Sequence, residues 1–332
     1  MSKLFSAPLA ASLVCASLLG LASAAAQTPN DVANWPNRPI TLIAPQPAGG
    51  GFDTVARVVA DRMRPIIGQT IVVENRTGAG TRVGTQAAAR APADGYTLMI
   101  GALSNMALNP GLYDNLSYDP IKDFKLVGMA VTWSYTLVAR KGLPMNSLKE
   151  VIAYAKENPG KLTYASAGMG SGQHIAAAVT EKLSGVKLTH VPYRGSQDAY
   201  QDILGERVDL FFDISSAAKS QVDAGTVKAL AVSSKERQPI HPDVPSVFET
   251  GVAPLDMESW FGLFAPAGTP EPILVKLRAT MAKIMTMPDV QELFAKSGGQ
   301  VSKTSAAEAE AKVRNDIERW TNLIRDAGVK GD

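Results

Sequence analysis

Short apolar runs rich in β-branched residues alternate with stretches of helical period along most of the chain. The first run, 40–44, reads as a buried strand closed by Pro45 and the glycines Gly49, Gly50 and Gly51. From Asp53 the period lengthens: Val55, Val58, Val59 and Met63 form one helical stripe, with Arg57, Asp61 and Arg64 on the other side. The spacing then predicts a strand at 71–73, a short helix at 85–90 and a strand at 96–100. The alternation returns with strand 162–165, helix 175–183, strand 188–191, helix 198–204, strand 208–212, helix 217–224 and strand 229–233. Single helices between strands imply right-handed crossovers and a mostly parallel sheet. Two such sheets suit the length better than one very wide sheet. Residues 266–270 read as a turn that opens a helix, with Pro270 suited to its first positions. At the end of the chain, 306–327 carries Val313, Ile317, Trp320, Leu323 and Ile324 at the spacing of an amphipathic helix.

The N-terminus breaks this pattern. Lys3 is followed by an uncharged stretch, 4–21, and then by the small residues Ala22, Ser23, Ala24, Ala25 and Ala26. A positive start, an apolar middle and A-x-A-type sites after Ala24 or Ala26 describe a secretory signal peptide. Its richest apolar run, 7–21, falls short of the roughly 20 residues a membrane-spanning helix needs. The sole cysteine, Cys15, lies in this stretch. Val14 stands before it, where lipid attachment expects a small residue, so Cys15 is expected to leave with the leader. The remaining chain then has no thiol for a disulfide, a nucleophile or a zinc site. Its length suggests two domains. A hydrophobic share of 45% and a charged share of 19% describe an ordinary soluble globule. A net charge of +2 without a Lys/Arg cluster argues against nucleic acid as a partner.

Three glycine-rich loops are candidates for chemistry. Residues 45–53 join a strand to a helix, and glycines there let the backbone approach a ligand while the first helical turn presents unpaired N–H groups. Such donors make an anion site without lysine or arginine; the plain alternative is a tight turn with Asp53 as helix cap. Residues 166–174 repeat the arrangement mid-chain, with Gly168, Gly170 and Gly172 ahead of His174. That loop contains no Gly-x-Ser-x-Gly, and Gln173 stands where a G-x-G-x-x-G loop needs its last glycine. Two such loops suit a ligand gripped between two lobes, with His174 either donating to it or packing at the helix start. The third loop, 78–84, resembles a dinucleotide loop, but four residues separate it from its strand and no acidic ribose partner follows. The three histidines, His174, His190 and His241, contain no H-x-x-x-H metal pair, and no serine shows a paired base in the sequence.

The order of motifs resembles a known family. Arg38-Pro39-Ile40, the Pro-x-Pro-Ala-Gly-Gly loop ending in Asp53, Val72 to Arg76 with Gly78-Ala79-Gly80, and Asp94 to Leu98 come first. Ala153 to Lys156, Asn158 to Lys161, His190 to Ser196, Trp260-Phe261-Gly262 and Pro266 to Pro270 follow. From about Trp35 onward this resembles the Bug (TctC-like) family, extracytoplasmic solute receptors of tripartite tricarboxylate transporters. The resemblance implies an α/β fold of the periplasmic binding protein type II kind, two α/β lobes joined by a hinge with a ligand cleft between them. It divides the chain into a leader at 1–26, a first lobe of 27–133 plus 256–332, and a second lobe of 134–255.

Carried over residue by residue, the resemblance implies a first-lobe site of Ala48, Gly49, Gly50, Gly51, Phe52, Asp53, Ser104 and Asn105. From the second lobe come Ser166, Gly168, Ser171, His174, Tyr193, Gly195 and Asp213. It implies a monomeric periplasmic protein, without enzymatic activity, cofactor or metal, that delivers a small organic anion, most simply a carboxylate, to membrane permease subunits. A secreted α/β hydrolase and a ligand-sensing receptor for a membrane signalling partner are the alternatives. Three positions depart from the family pattern: Gln46 where Phe is frequent, Phe52 where a small residue is usual, and Asn105 in place of a common histidine. All three are expected near the ligand, which points to an aromatic or otherwise bulkier carboxylate. Asp53 and Asp213 are acidic, so each must cap a helix, meet an ammonium or hydroxyl group, or be held away from the carboxylate.

Overall fold

The computed structural model describes residues 32–331. The leader expected at 1–26, with Cys15, lies outside the described residues. In the first half, β1 (Ile40–Ala44), β2 (Ile71–Asn75) and β3 (Thr97–Ala102) run parallel in the order β2-β1-β3. The crossovers carry α1 (Gly51–Ile67) and α2 (Arg82–Ala89). Helix α1 forms where expected because Val55, Ala56, Val59, Ala60 and Met63 bury one face against the sheet. It ends at Gly68, whose φ of 79° closes the last turn at no steric cost.

In the second half, β5 (Thr163–Ser166), β6 (Thr189–Pro192) and β7 (Leu210–Ile214) are again parallel. Helix α4 (Leu148–Glu157) precedes β5, the helices between these strands are α5 (Gly172–Ser184) and α6 (Ser196–Leu204), and α7 (Ser215–Asp223) leads on to β8 (Val227–Val232).

Two antiparallel strands absent from the sequence expectation join the halves. Strand β4 (Phe124–Arg140) is 17 residues long, and β9 is Glu258–Pro266. Residues 124–134 of β4 pair with β9, and its remaining residues, Tyr135 to Arg140, pair with β7 and β8. Eight of the ten strands therefore form one continuous path, β2-β1-β3-β9-β4-β7-β5-β6, with β8 and the short β10 (Gln300–Val301) added on β4, in place of two separate, mostly parallel sheets. Both strands are buried almost throughout, so they show no polar alternation to mark them as strands.

The C-terminal part packs onto the first half. Helix α8 (Glu271–Met285) begins at the expected proline turn, α9 (Pro288–Lys296) follows, and α10 (Ala306–Asp326) buries Val313, Ile317, Trp320 and Ile324. A chain of edge-on rings, Phe52–Phe261–Trp133–Phe294, fixes the first-half core, with neighbouring centroids 5.2–5.7 Å apart.

The register places the functional ends. Ser134 pairs with Glu258 and Ala102 with Phe261, while Tyr135 pairs with Ile214 and Ala165 with Phe211. The C-terminal ends of β1, β3, β5 and β7 thus all face the point where β4 passes from one half to the other. Loops at such strand ends are where open α/β sheets take ligands.

Candidate functional site

Gly49 turns the chain out of β1 with a φ of 84°. The loop is braced from two sides. Asp53 Oδ2 accepts the Gly49 N–H at 2.9 Å and the Arg57 Nε–H at 2.9 Å, and Asn75 Nδ2 donates to the Gln46 carbonyl at 2.9 Å. Burial pushes the Asp53 carboxyl upward, but hydrogen bonds from Arg57, Gly49 and Asn75 together outweigh it and hold it below its usual value. Asp53 therefore serves the loop and spends its charge on Arg57. Ala48 and Gly49 are exposed at the tip, and Gly50 caps α1 without any side-chain acceptor. Gly51 lies under the Phe261 ring, where a Cβ would come within 2.9 Å. The Phe52 side chain turns into the core against that ring, away from the loop tip.

After β3 the chain makes a π-helical turn, Leu103–Leu108, that runs into α3 (Asn109–Leu112). Ser104 is partly exposed there, whereas Asn105 is fully buried. The Asn105 side chain accepts from Ala102 N–H at 2.7 Å and donates to Thr85 Oγ1 at 3.0 Å, so its polar atoms are engaged inside the protein.

In the second half, Ser166 Oγ lies 2.7 Å from His190 Nε2 and accepts the Gly168 N–H at 3.1 Å. Ser171 caps α5 by accepting the His174 N–H at 3.3 Å, and His174 Nδ1 accepts the Gly170 N–H at 3.1 Å. That bond leaves the proton of the neutral His174 ring on Nε2, the one donor it can offer. The imidazoles of His174 and His190 stack at 4.2 Å, with Tyr164 on His190 at 4.8 Å. Burial, then the neighbouring His190, depresses His174 to about 4, and burial lowers His190, so this loop carries no imidazolium near neutral pH. Ser166 is fully buried and its hydroxyl shapes the turn, an arrangement unlike an exposed nucleophile.

Tyr193 hydrogen-bonds through its backbone N–H to the Ser166 carbonyl at 3.0 Å, while its hydroxyl turns away to Asp202 Oδ2 at 2.6 Å. Gly195 caps α6. Asp213 is fully buried: Oδ1 accepts Ser196 Oγ at 2.7 Å, Ile214 N–H at 2.9 Å and Gln173 Nε2 at 3.4 Å, and the buried Tyr200 hydroxyl also faces the carboxyl. It ties together the starts of α5, α6 and α7. Burial raises its pKa to about 6 against the pull of those hydrogen bonds.

Of the residues singled out in the sequence, the structure gathers the 48–51 loop, Ser104, the 166–174 loop and the 193–195 loop at one end of the strands. It turns the side chains of Phe52, Asn105 and Asp213 inward. Asn75, Gln173 and Ser196 stand within the sequence motifs but outside the expected site residues, although they hold these loops. Lone polar residues one turn from a glycine loop give no sequence signal of their own. Among the described residues, no group of three or more His, Cys, Asp or Glu could hold a metal ion, and no helix is long and apolar enough to cross a membrane. What remains is a pair of uncharged loops whose helix starts offer backbone N–H groups, suited to an anion.

A two-lobed α/β molecule with ligand loops at the shared strand is a solute-binding protein of the periplasmic binding type. The sequence pattern of the tripartite tricarboxylate transporter family receptor matches residues 55–329, and the chain belongs to this family. BugT of Bordetella pertussis is 32% identical over 93% of this chain and 95% of its own length. The periplasmic binding protein BugD superposes with a TM-score of 0.80 at 37% identity, covering 89% of this chain and 99% of BugD. An R. palustris protein solved with adipate gives a TM-score of 0.82 at 33% identity over 90% of this chain and 99% of the other. MatC from Rhodopseudomonas palustris, with bound malate, gives 0.80 at 33% identity over 87% of this chain and 100% of its own. The family is one of solute-binding receptors, and the chain is accordingly not an enzyme.

Proposed function

We propose that this protein is exported to the periplasm, closes over a small aliphatic dicarboxylate and delivers it, as a monomer, to the membrane permease subunits of a tripartite transporter. The observation that carries this reading is the pair of uncharged glycine loops opening α1 and α5 on either side of the β4 crossing. Relatives of the same fold hold adipate and malate. Loop N–H groups from both halves reach one anion only when the halves approach, and that differential contact favours the closed state. The lobes are taken as 27–133 plus 256–332 and 134–255, supported by the change of strand partners at Ser134–Tyr135. The leader at 1–26 supplies the export signal.

The aromatic ligand suggested by the family departures loses most of its support. Phe52 and Asn105 are buried and engaged within the protein, which leaves Gln46 alone near the loop tip. A thermal-shift screen of the ligand-free mature protein against succinate, malate, adipate and benzoate tests the proposal. We expect stabilisation by the aliphatic diacids, about 2.7 kcal/mol at a hundredfold excess over the dissociation constant, and none by benzoate. No shift with any diacid would overturn the proposed substrate class; a shift with benzoate alone would restore the aromatic one.

A further inference from the structure

The third glycine loop has no role in the reading so far, yet it is the most contorted backbone in the first half. Gly78, Ala79, Gly80 and Thr81 have φ values of 134°, 46°, 60° and 76° in succession. Ala79 and Thr81 carry a Cβ into a region that L-residues avoid, and such a turn persists only where its surroundings impose it. The surroundings are a buried polar cluster. Asn109 Nδ2 lies 3.4 Å from the Gly80 carbonyl, 3.2 Å from Thr81 Oγ1 and 2.9 Å from Tyr118 Oη. Thr85 Oγ1 donates to the Thr81 carbonyl at 2.9 Å, and Tyr118 donates to the Asn105 carbonyl at 2.5 Å. Asn105 donates in turn to Thr85.

This cluster fixes the turn against Tyr113. The Arg82 guanidinium lies 3.8 Å over the Tyr113 ring, and Gly331 passes against that ring where no Cβ would fit. The hydroxyl end sits between the halves. A Cβ on Gly80 would lie 3.0 Å from Tyr113 Oη, and one on Gly170 of the second half would lie 3.6 Å from the same oxygen. Gly170 belongs to the loop that His174 and Ser171 hold in shape.

We propose that Tyr113 is a positioning residue whose hydroxyl, seated on the Gly78–Thr81 turn, sets the approach of the Gly168–Ser171 loop and so the closure of the cleft. The inference rests on the receptor reading for its purpose, but its geometry can be tested without any ligand. Spin labels on cysteines at Lys156 and Lys303, exposed positions on the second and first halves, report the distance between them. Tyr113→Phe keeps the ring and removes only the hydroxyl. Tyr96→Phe removes another buried first-half hydroxyl, one bonded to Asn37 and outside the cluster that holds the Gly78–Thr81 turn, and serves as the control. In ligand-free protein we expect Tyr113→Phe to broaden the distance distribution and move it to longer values, while Tyr96→Phe reproduces the wild type. Superimposable distributions for Tyr113→Phe and wild type overturn the proposal, as does an equal change in Tyr96→Phe. Because no ligand enters the measurement, either result stands whether or not the diacids bind.

Discussion

Gly172 shows how tightly the second-half loop is fitted: a Cβ there would overlap Tyr135 Oη, with the ring carbon behind it at 2.6 Å. Gly172→Ala should cost about 1–3 kcal/mol, typical of overpacking. The double variant with Tyr135→Phe should recover part of that loss, read from urea denaturation; no recovery would place the strain elsewhere. Asp213 supplies a second prediction at this scale. Its folded pKa is raised to about 6, so the folded state holds the proton more tightly than the unfolded chain. The associated stability is present below about pH 4 and lost as pH rises to about 6. Asp213→Asn keeps an acceptor for Ser196 and Ile214 and removes the buried charge. It should be more stable than wild type at pH 7.5, by up to about 2–3 kcal/mol, and show little of that advantage at pH 4. Equal melting temperatures at both pH values would contradict the assignment. That Asp213 needs a partner, a cap or isolation was legible in the sequence; its burial beneath three helix starts was not, because those starts are brought together only by the sheet.

Among the elements, those with a clear period were legible. The stripe of α1 and the terminal helix α10 lie where the hydrophobic spacing puts them. The start of α10 is a reciprocal cap: Ser305 Oγ accepts the Glu308 N–H at 3.3 Å, and Glu308 Oε2 accepts the Ser305 N–H at 2.8 Å. Ser305→Ala should lower stability by about 1 kcal/mol, measurable as a shift in the urea midpoint with an unchanged slope. The 45–53 loop was legible as a site for backbone contact, but the duties of its side chains were not. Asp53 and Phe52 are adjacent in sequence, and the first turn of α1 directs one back to Gly49 and the other into the ring stack. Strands β4 and β9 left no pattern because both faces are covered.

At the scale of the molecule, the shared β4 couples the halves. Neither half can lose its sheet without stripping an edge from the other. All four tryptophans, Trp35, Trp133, Trp260 and Trp320, belong to the first half as divided above, so their fluorescence reports that half alone. Far-UV circular dichroism reports both. The two signals should therefore change together in denaturant as one cooperative transition. Separated midpoints would show that the halves unfold independently despite the common strand.

The alternating strands and helices on either side of β4, the two glycine loops and the resemblance to a receptor family were determined by the sequence itself, because periodicity and local turn chemistry act over a few residues. The tertiary structure alone decided that one long strand serves both halves. It also turned Asn105 and Phe52 away from the loop tips and lodged the Tyr113 hydroxyl beside glycines 90 residues apart in the chain, Gly80 and Gly170. Burial on both faces and close approach between distant segments are properties of packing, and packing depends on partners that no local window of sequence contains.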